Sequence, residues 1–195
     1  MLRLFLFVVA VGLAGTYAIR QLDRRRLELV AQIRAAFLAG LNEAADTPAA
    51  LKDVHVRNAT LRFRVPQAWA EEYRDDESGR FQARASSRSL DVRTTTVAAS
   101  PTTVADALRT RAQGLGPTTV ETLASGDVLL KAVSEARDGN DRTVCFVWLV
   151  GRSISAEHVR VGTFTFSAPL ATAHDVLTRN EVIRLEHEVR ASQLA

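Results

Sequence analysis

The sequence predicts an α+β protein: an antiparallel sheet sandwiched between helices, preceded by an N-terminal transmembrane helix and an amphipathic helix. Three observations carry this reading. Leu4 to Ile19 is an uncharged, mostly apolar run. Between residues 61 and 166 short segments alternate with a period of two, separated by Gly, Pro, Asn and Asp. Helical periodicity appears before that stretch, once within it and again after it, so the helices flank the strands and do not alternate with them.

At helical rise the Leu4–Ile19 run spans about 24 Å, a little short of the roughly 30 Å hydrocarbon core, and Arg3 and Arg20 can snorkel to the two interfaces. Tyr17 stands at the depth where aromatic rings settle. Residues 1–20 are therefore expected to be a single-pass transmembrane anchor, 21–46 an amphipathic juxtamembrane helix and 47–195 the sandwich domain. A cleaved secretory signal is the competing reading, with Arg3 as its basic start and small residues at Thr16 and Ala18, or at Gly12 and Ala14, as the cleavage site. Arg20, Arg24, Arg25 and Arg26 outweigh Arg3 and the amino terminus, so the positive-inside rule points the domain to the cytoplasm; a short N-tail held inside would export it. The same four arginines are the expected contacts for lipid headgroups.

Composition is that of an ordinary globular chain, 47% hydrophobic and 24% charged, which excludes disordered and collagen-like classes. The net charge of +3 is smaller than the arginine cluster beside the apolar run, so the basic balance speaks of lipid headgroups and not of nucleic acid. One cysteine, Cys145, allows no intrachain disulfide and leaves the redox compartment open.

Past the anchor, Leu22, Leu29, Val30, Ile33, Phe37, Leu41 and Ala44 recur at helical steps up to the break at Asp46 to Pro48. This stripe could pack on the domain, pair with a second copy or lie on the membrane. Leu61, Phe63 and Val65 alternate with Arg62 and Arg64 in a strand that ends at Pro66, and Trp69 follows in a turn. Glu71 to Arg80 has no apolar period and reads as an exposed loop. Strands are expected from Phe81 and over Leu90–Ala99, then a helix capped by Ser100 and opened by Pro101, with Val104, Ala105 and Leu108 inward and a stop at Gly114 and Gly116. Thr118–Leu123 and Val128–Ala136 follow. Asp138 to Asp141 then turns the chain into Thr143–Val150, which is apolar on both faces and so is a central strand. Val159–Phe166 shifts parity between Val161 and Phe164, which suggests a bulge at Gly162. Ser167 and Pro169 are expected to start a last helix running to about Ser192, with Leu170, Val176, Leu177, Ile183 and Val189 inward.

The string Phe63, Val65, Pro66, Trp69, the mid-domain helix after Pro101, and the Phe164, Phe166 strand leading into Pro169 give the chain a resemblance to the PsbP-like family, which includes Mog-type and DcrB-type proteins. It covers Val54 to Ala195. The resemblance implies an α/β/α sandwich that serves mostly as a binding or accessory module on membrane complexes, not as an enzyme. No functional residue of the family maps onto this chain, so none is carried over.

Site chemistry is sparse. His55, His158, His174 and His187 have no metal-ligand spacing. Glu71, Glu72, Asp75, Asp76 and Glu77 lack the alternating ligands and central glycine of a calcium loop. No Gly-x-Ser-x-Gly elbow occurs, and Cys145 sits in the most apolar strand, where a thiol is a poor nucleophile. Gly114 and Gly116 precede Pro117 and not a helix, so they do not cradle phosphate, and the glycosylation pattern at Asn58 to Thr60 reads as chance. Trp148 belongs in the core; Trp69 either plugs one end of the sandwich or, with Glu71, Glu72 and Tyr73, forms a partner surface. The expected function is a membrane-anchored, non-enzymatic binding or assembly module for a membrane protein complex, with the bilayer and a protein as partners and no cofactor or nucleic acid. The alternatives are a hydrolase-like enzyme with an unrecognised site and a lipid-binding domain, which needs a sizeable apolar cavity.

Overall fold

A seven-stranded antiparallel sheet is the middle layer of the molecule, with a different cover on each side. The computed structural model describes residues 2–39, 50–56, 60–75, 77–83, 86–98, 103–138 and 141–195; the side chains of 2–20 and 138 fall outside the described set. The elements are α1 (Leu2–Ala39), β1 (Leu51–Val56), β2 (Leu61–Pro66), β3 (Ala70–Asp75), β4 (Ser78–Gln82), β5 (Ser89–Ala98), α2 (Val104–Arg111), β6 (Thr118–Thr122), β7 (Val128–Asp138), β8 (Asp141–Ser153), β9 (His158–Pro169), α3 (Val176–Arg190) and β10 (Gln193–Leu194). The large sheet runs β3-β4-β5-β9-β8-β7-β6, and β1-β2-β10 form a second, smaller sheet.

β8 is the strand buried on both faces, as its continuous apolar sequence requires. On one face Val144, Phe146, Trp148 and Val150 join Phe164, Phe166, Leu90 and Phe81 in the main core, under α1, α3 and the small sheet. On the other, Val147 and Leu149 meet Leu130, Ala132, Val159 and Val161 beneath Leu108 and Ala112 at α2. The small sheet contributes through the alternation read in β2: Leu61, Phe63 and Val65 are buried while Arg62 and Arg64 are exposed. Phe63 stands edge-on to Phe81 at 5.5 Å and to Phe164 at 5.2 Å.

α1 is part of this core. Val30 and Phe37 are buried, and the Phe37 ring meets Phe146 and Trp148 edge-on at 5.3 and 5.2 Å. Burying one such side chain contributes about 2 kcal/mol. Lys131 donates to the Phe37 carbonyl at 2.9 Å, so one of the unpaired carbonyls at the helix end is satisfied from the sheet. Of the three dispositions open to the amphipathic stripe, packing on the domain is the one observed, although Leu22 is exposed; Leu41 and Ala44 lie outside the described residues. α3 is held to its neighbours by ion pairs: Arg64 to Glu188 at 2.7 Å, Arg88 to Glu181 at 3.1 Å and Arg190 to Glu121 at 2.6 Å.

Several sequence expectations are corrected. The segment expected as the loop Glu71–Arg80 is mostly the hairpin of β3 and β4, paired from Ala70↔Gln82 to Asp75↔Ser78. Every β3 side chain is exposed because this is an edge strand, so backbone pairing forms it with no apolar period to announce it. α2 is capped by Thr103 and not by Ser100: Thr103 Oγ1 accepts from the Asp106 N–H at 3.2 Å and donates to the Asp106 carboxylate at 2.7 Å. Ser100 and Pro101 lie outside the described residues.

There is no bulge at Gly162, since β9 pairs in unbroken register with β5 and β8 through that position. The parity shift has another cause. Val159 and Val161 are buried under α2, whereas Phe164 and Phe166 face the main core. The last helix starts later than expected because β9 continues to Pro169, opposite Thr143, and a 3-10 turn at Leu170–Thr172 follows. Val176 and Leu177 point outward, 65% and 67% exposed, and His174 precedes α3 instead of lying on it. Among the described residues no helix is long and apolar enough to cross a membrane, and the side chains of the Leu4–Ile19 run fall outside that set.

Candidate functional site

Two regions bring together residues singled out by the sequence. The first lies where α1 meets the corner between β9 and α3. Arg24 and Arg25 are exposed, and Arg24 approaches Glu28 one turn on, at 3.8 Å. Arg26 turns toward the sheet and pairs with Asp23 at 3.3 Å and Glu135 of β7 at 3.6 Å. Glu135 also takes Arg142 of β8, at 3.3 Å. Arg20 begins this cluster in sequence, and its side chain lies outside the described residues.

Beside these arginines runs a hollow of about 700 Å³ lined by Arg25, Arg26, Leu29, Arg142, Leu170 and His174, among others. A second hollow of about 320 Å³ lies deeper between α1 and α3, against Ile33, Phe37, Phe146 and Val182. The arginine run could be found from sequence. Arg142, Leu170 and His174 could not, because they reach the site only through the β7–β8 hairpin and the end of β9.

The second region is the free edge at β3. It does not carry all four residues expected of a partner surface. Trp69 is buried, stacked on Phe166 with ring centroids 6.2 Å apart, and its carbonyl accepts a hydrogen bond from Lys52 at 2.7 Å. Glu71, Glu72 and Tyr73 are exposed along the strand. The hydrogen bond from Lys52 holds the Glu71 carboxyl below the usual glutamate range, against a smaller opposing effect of burial. Tyr73 donates to Glu71 at 2.9 Å; partial burial, and then that bond, push its hydroxyl up to about 12. Around the corner, on the α2 side of the sheet, Arg74, Asp75, Asp91, Arg93, Thr163 and Thr165 line an open polar hollow of about 410 Å³ that α2 does not reach.

Catalytic chemistry is poorly served. Cys145 is half-buried, with its Sγ 3.6 Å from Ser167 Oγ, and burial pushes its thiol up, the opposite of an activated nucleophile. His55, His158, His174 and His187 are all exposed. Among the described residues no group of three His, Cys, Asp or Glu side chains is placed to hold a metal ion.

No family model and no curated protein matches this chain. Among solved structures it is similar to the Ran-binding protein Mog1p of Saccharomyces cerevisiae, at 14% identity over 75% of this chain and 96% of that one, TM-score 0.47. It is also similar to PsbP (CyanoP) of Synechocystis sp. PCC 6803, at 11% identity over 80% and 98%, TM-score 0.47. A protein of Bacteroides thetaiotaomicron VPI-5482 aligns at 16% identity over 68% and 46%, TM-score 0.49. These likenesses, all at TM-scores below 0.5 and at identities of 16% or less, say nothing of what the chain binds or does.

Proposed function

We propose that the chain is a single-pass, membrane-anchored binding or assembly module for a membrane protein complex, with no enzymatic activity of its own. One observation carries this reading: α1 is a single unbroken helix of 38 residues, about 57 Å long, that begins in the apolar run and ends inside the core. A helix continuous across that length couples the sheet directly to whatever holds residues 2–20, with no linker between. Arg20, Arg24, Arg25 and Arg26 then lie at headgroup depth, and the positive-inside rule favours the cytoplasmic side over export for the domain. The partner surface is the exposed β3 edge with Glu71, Glu72 and Tyr73, while Trp69 supports it from beneath.

The test uses the full chain in native membranes. Resistance to alkaline extraction and an intact mass that retains residue 1 are expected. Release by alkali, or a mature N-terminus near Thr16 or Ile19, overturns the anchor. A photo-crosslinker at Glu72 should capture a membrane-complex subunit that the same group at exposed Ile154 does not; equal capture at both overturns the partner surface.

A further inference from the structure

Leu29 of α1 and His174 before α3 are walls of both hollows at the arginine corner, so the two adjoin there and are described together as one trough. Its deep end is floored by Phe37 and Phe146 and walled by Ile33 and Val182; its open end passes Leu170 to a rim of charged groups. At about 320 and 700 Å³ the two parts together reach the size of sites for small ligands, several hundred to about 1,000 Å³.

The rim carries both signs of charge. Arg25 is exposed, and Arg142 spends one contact on Glu135 while a guanidinium has five N–H donors. Asp141 is an exposed carboxylate on this rim, while Glu135 is taken up by Arg26 and Arg142. A largely apolar slot, with Gln32 and Arg179 also on its wall, beside cationic and anionic groups offers matches for the acyl chain, phosphate and amine of a zwitterionic phospholipid. Depth agrees with this. Arg25 is five residues beyond Arg20, about 7.5 Å along a helix, and the headgroup layer is about 5–8 Å thick on each side. Val176 and Leu177, shortly after His174, expose most of their surface, as does Leu22 of α1.

We infer that this trough takes one acyl chain of a zwitterionic phospholipid from the adjoining leaflet, with the phosphate on Arg25 and Arg142 and the amine facing Asp141. The inference rests on the anchor reading above and gives the lipid-binding alternative a specific place. The domain would then hold the membrane surface through a bound lipid as well as through α1.

The full chain, reconstituted in phosphatidylcholine nanodiscs, is tested with phosphatidylethanolamine or phosphatidylglycerol probes bearing a photoreactive group in the acyl chain. Crosslinks are expected on 29–37 and 170–182, several-fold more with phosphatidylethanolamine. Ala36 lines the deep hollow yet is itself exposed, so Ala36→Trp fills the slot without entering the core. It should abolish those crosslinks, leave those within 2–20 unchanged and keep the wild-type melting profile. Arg25→Gln/Arg142→Gln should weaken labelling by both probes, and Asp141→Asn should remove the preference between the two headgroups. Crosslinks confined to 2–20 in the wild type overturn the trough while leaving the anchor standing, and equal labelling by both probes overturns the headgroup assignment. Alkaline release of the chain overturns anchor and trough together.

Discussion

Lys131 Nζ lies 2.9 Å from the carbonyl oxygen of Phe37 and 5.0 Å from the centroid of the same residue's ring, so one buried ammonium holds both the backbone and the side chain of the last turn of α1. Its charge is met by Glu186 of α3 at 3.0 Å, and that carboxylate also receives Arg190 at 2.9 Å. Removing the ammonium leaves Glu186 buried with one cation fewer and the helix end uncapped. Lys131→Met is expected to cost on the order of 3 kcal/mol, the scale for breaking a buried pair, with Arg190 softening the loss. Lys131→Met/Glu186→Leu should recover part of it. Urea unfolding measures both, and limited proteolysis should show α1 cleaved first in the single variant.

Trp148 is fully buried between Phe37 and the sheet, and Trp69 is nearly so against Phe166. Alanine at either position should destabilise the fold by about 3–5 kcal/mol. A small loss at Trp69 in equilibrium unfolding would contradict its place in the core.

Gly151 of β8 lies directly under α2. A Cβ there would come within 2.7 Å of Val104 Cγ1 and 3.1 Å of Leu108 Cδ2. Gly151→Ala should therefore push the helix off the sheet at a cost of about 1–3 kcal/mol. Gly126, with open space around its Cβ, offers a contrast where the cost comes from its positive φ alone. A thermal melt of Gly151→Ala that matches the wild type would contradict the close packing of α2.

Glu121 of the edge strand β6 is held below its ordinary value of 4.5 chiefly by the hydrogen bonds from Arg190. With the folded pKa below the unfolded one, the unfolded chain takes up the proton first as pH falls. The contribution of Glu121 is present above the ordinary glutamate range and lost below it. Glu121→Gln should lower stability near neutral pH, and its gap from the wild type should close in acid. Glu181 works in the opposite sense: burial raises its carboxyl despite Arg88, so its contribution favours the fold at low pH and fades as pH rises through the folded pKa.

What could be read in advance follows from how each element is stabilised. β8 declared itself because it is buried on both faces, and β2 because its two faces differ so sharply. β3 stayed hidden since an edge strand with charged side chains owes its form to backbone pairing with β4, and β10 is only two residues held by β2. Ser167 and Pro169 have the chemistry of a helix start, but pairing with Cys145 and Thr143 extends the strand past both. At the candidate site the arginines of α1 were evident as a run. The trough was not, because its walls come from segments more than a hundred residues apart that meet only when α1 packs between β7 and α3.

β9 is amphipathic in two opposite senses along its length, with Val159 and Val161 on one side and Phe164 and Phe166 on the other, and Gly162 falls where the sense reverses. Deleting that single residue would move all four side chains to the same side and give the strand the simpler pattern that folding usually rewards. It would also leave either α2 or the small sheet facing threonines. The fold therefore depends on an inversion that makes this strand look irregular as a one-dimensional string, and a deletion at 162 is expected to be more damaging than one in either turn flanking the strand.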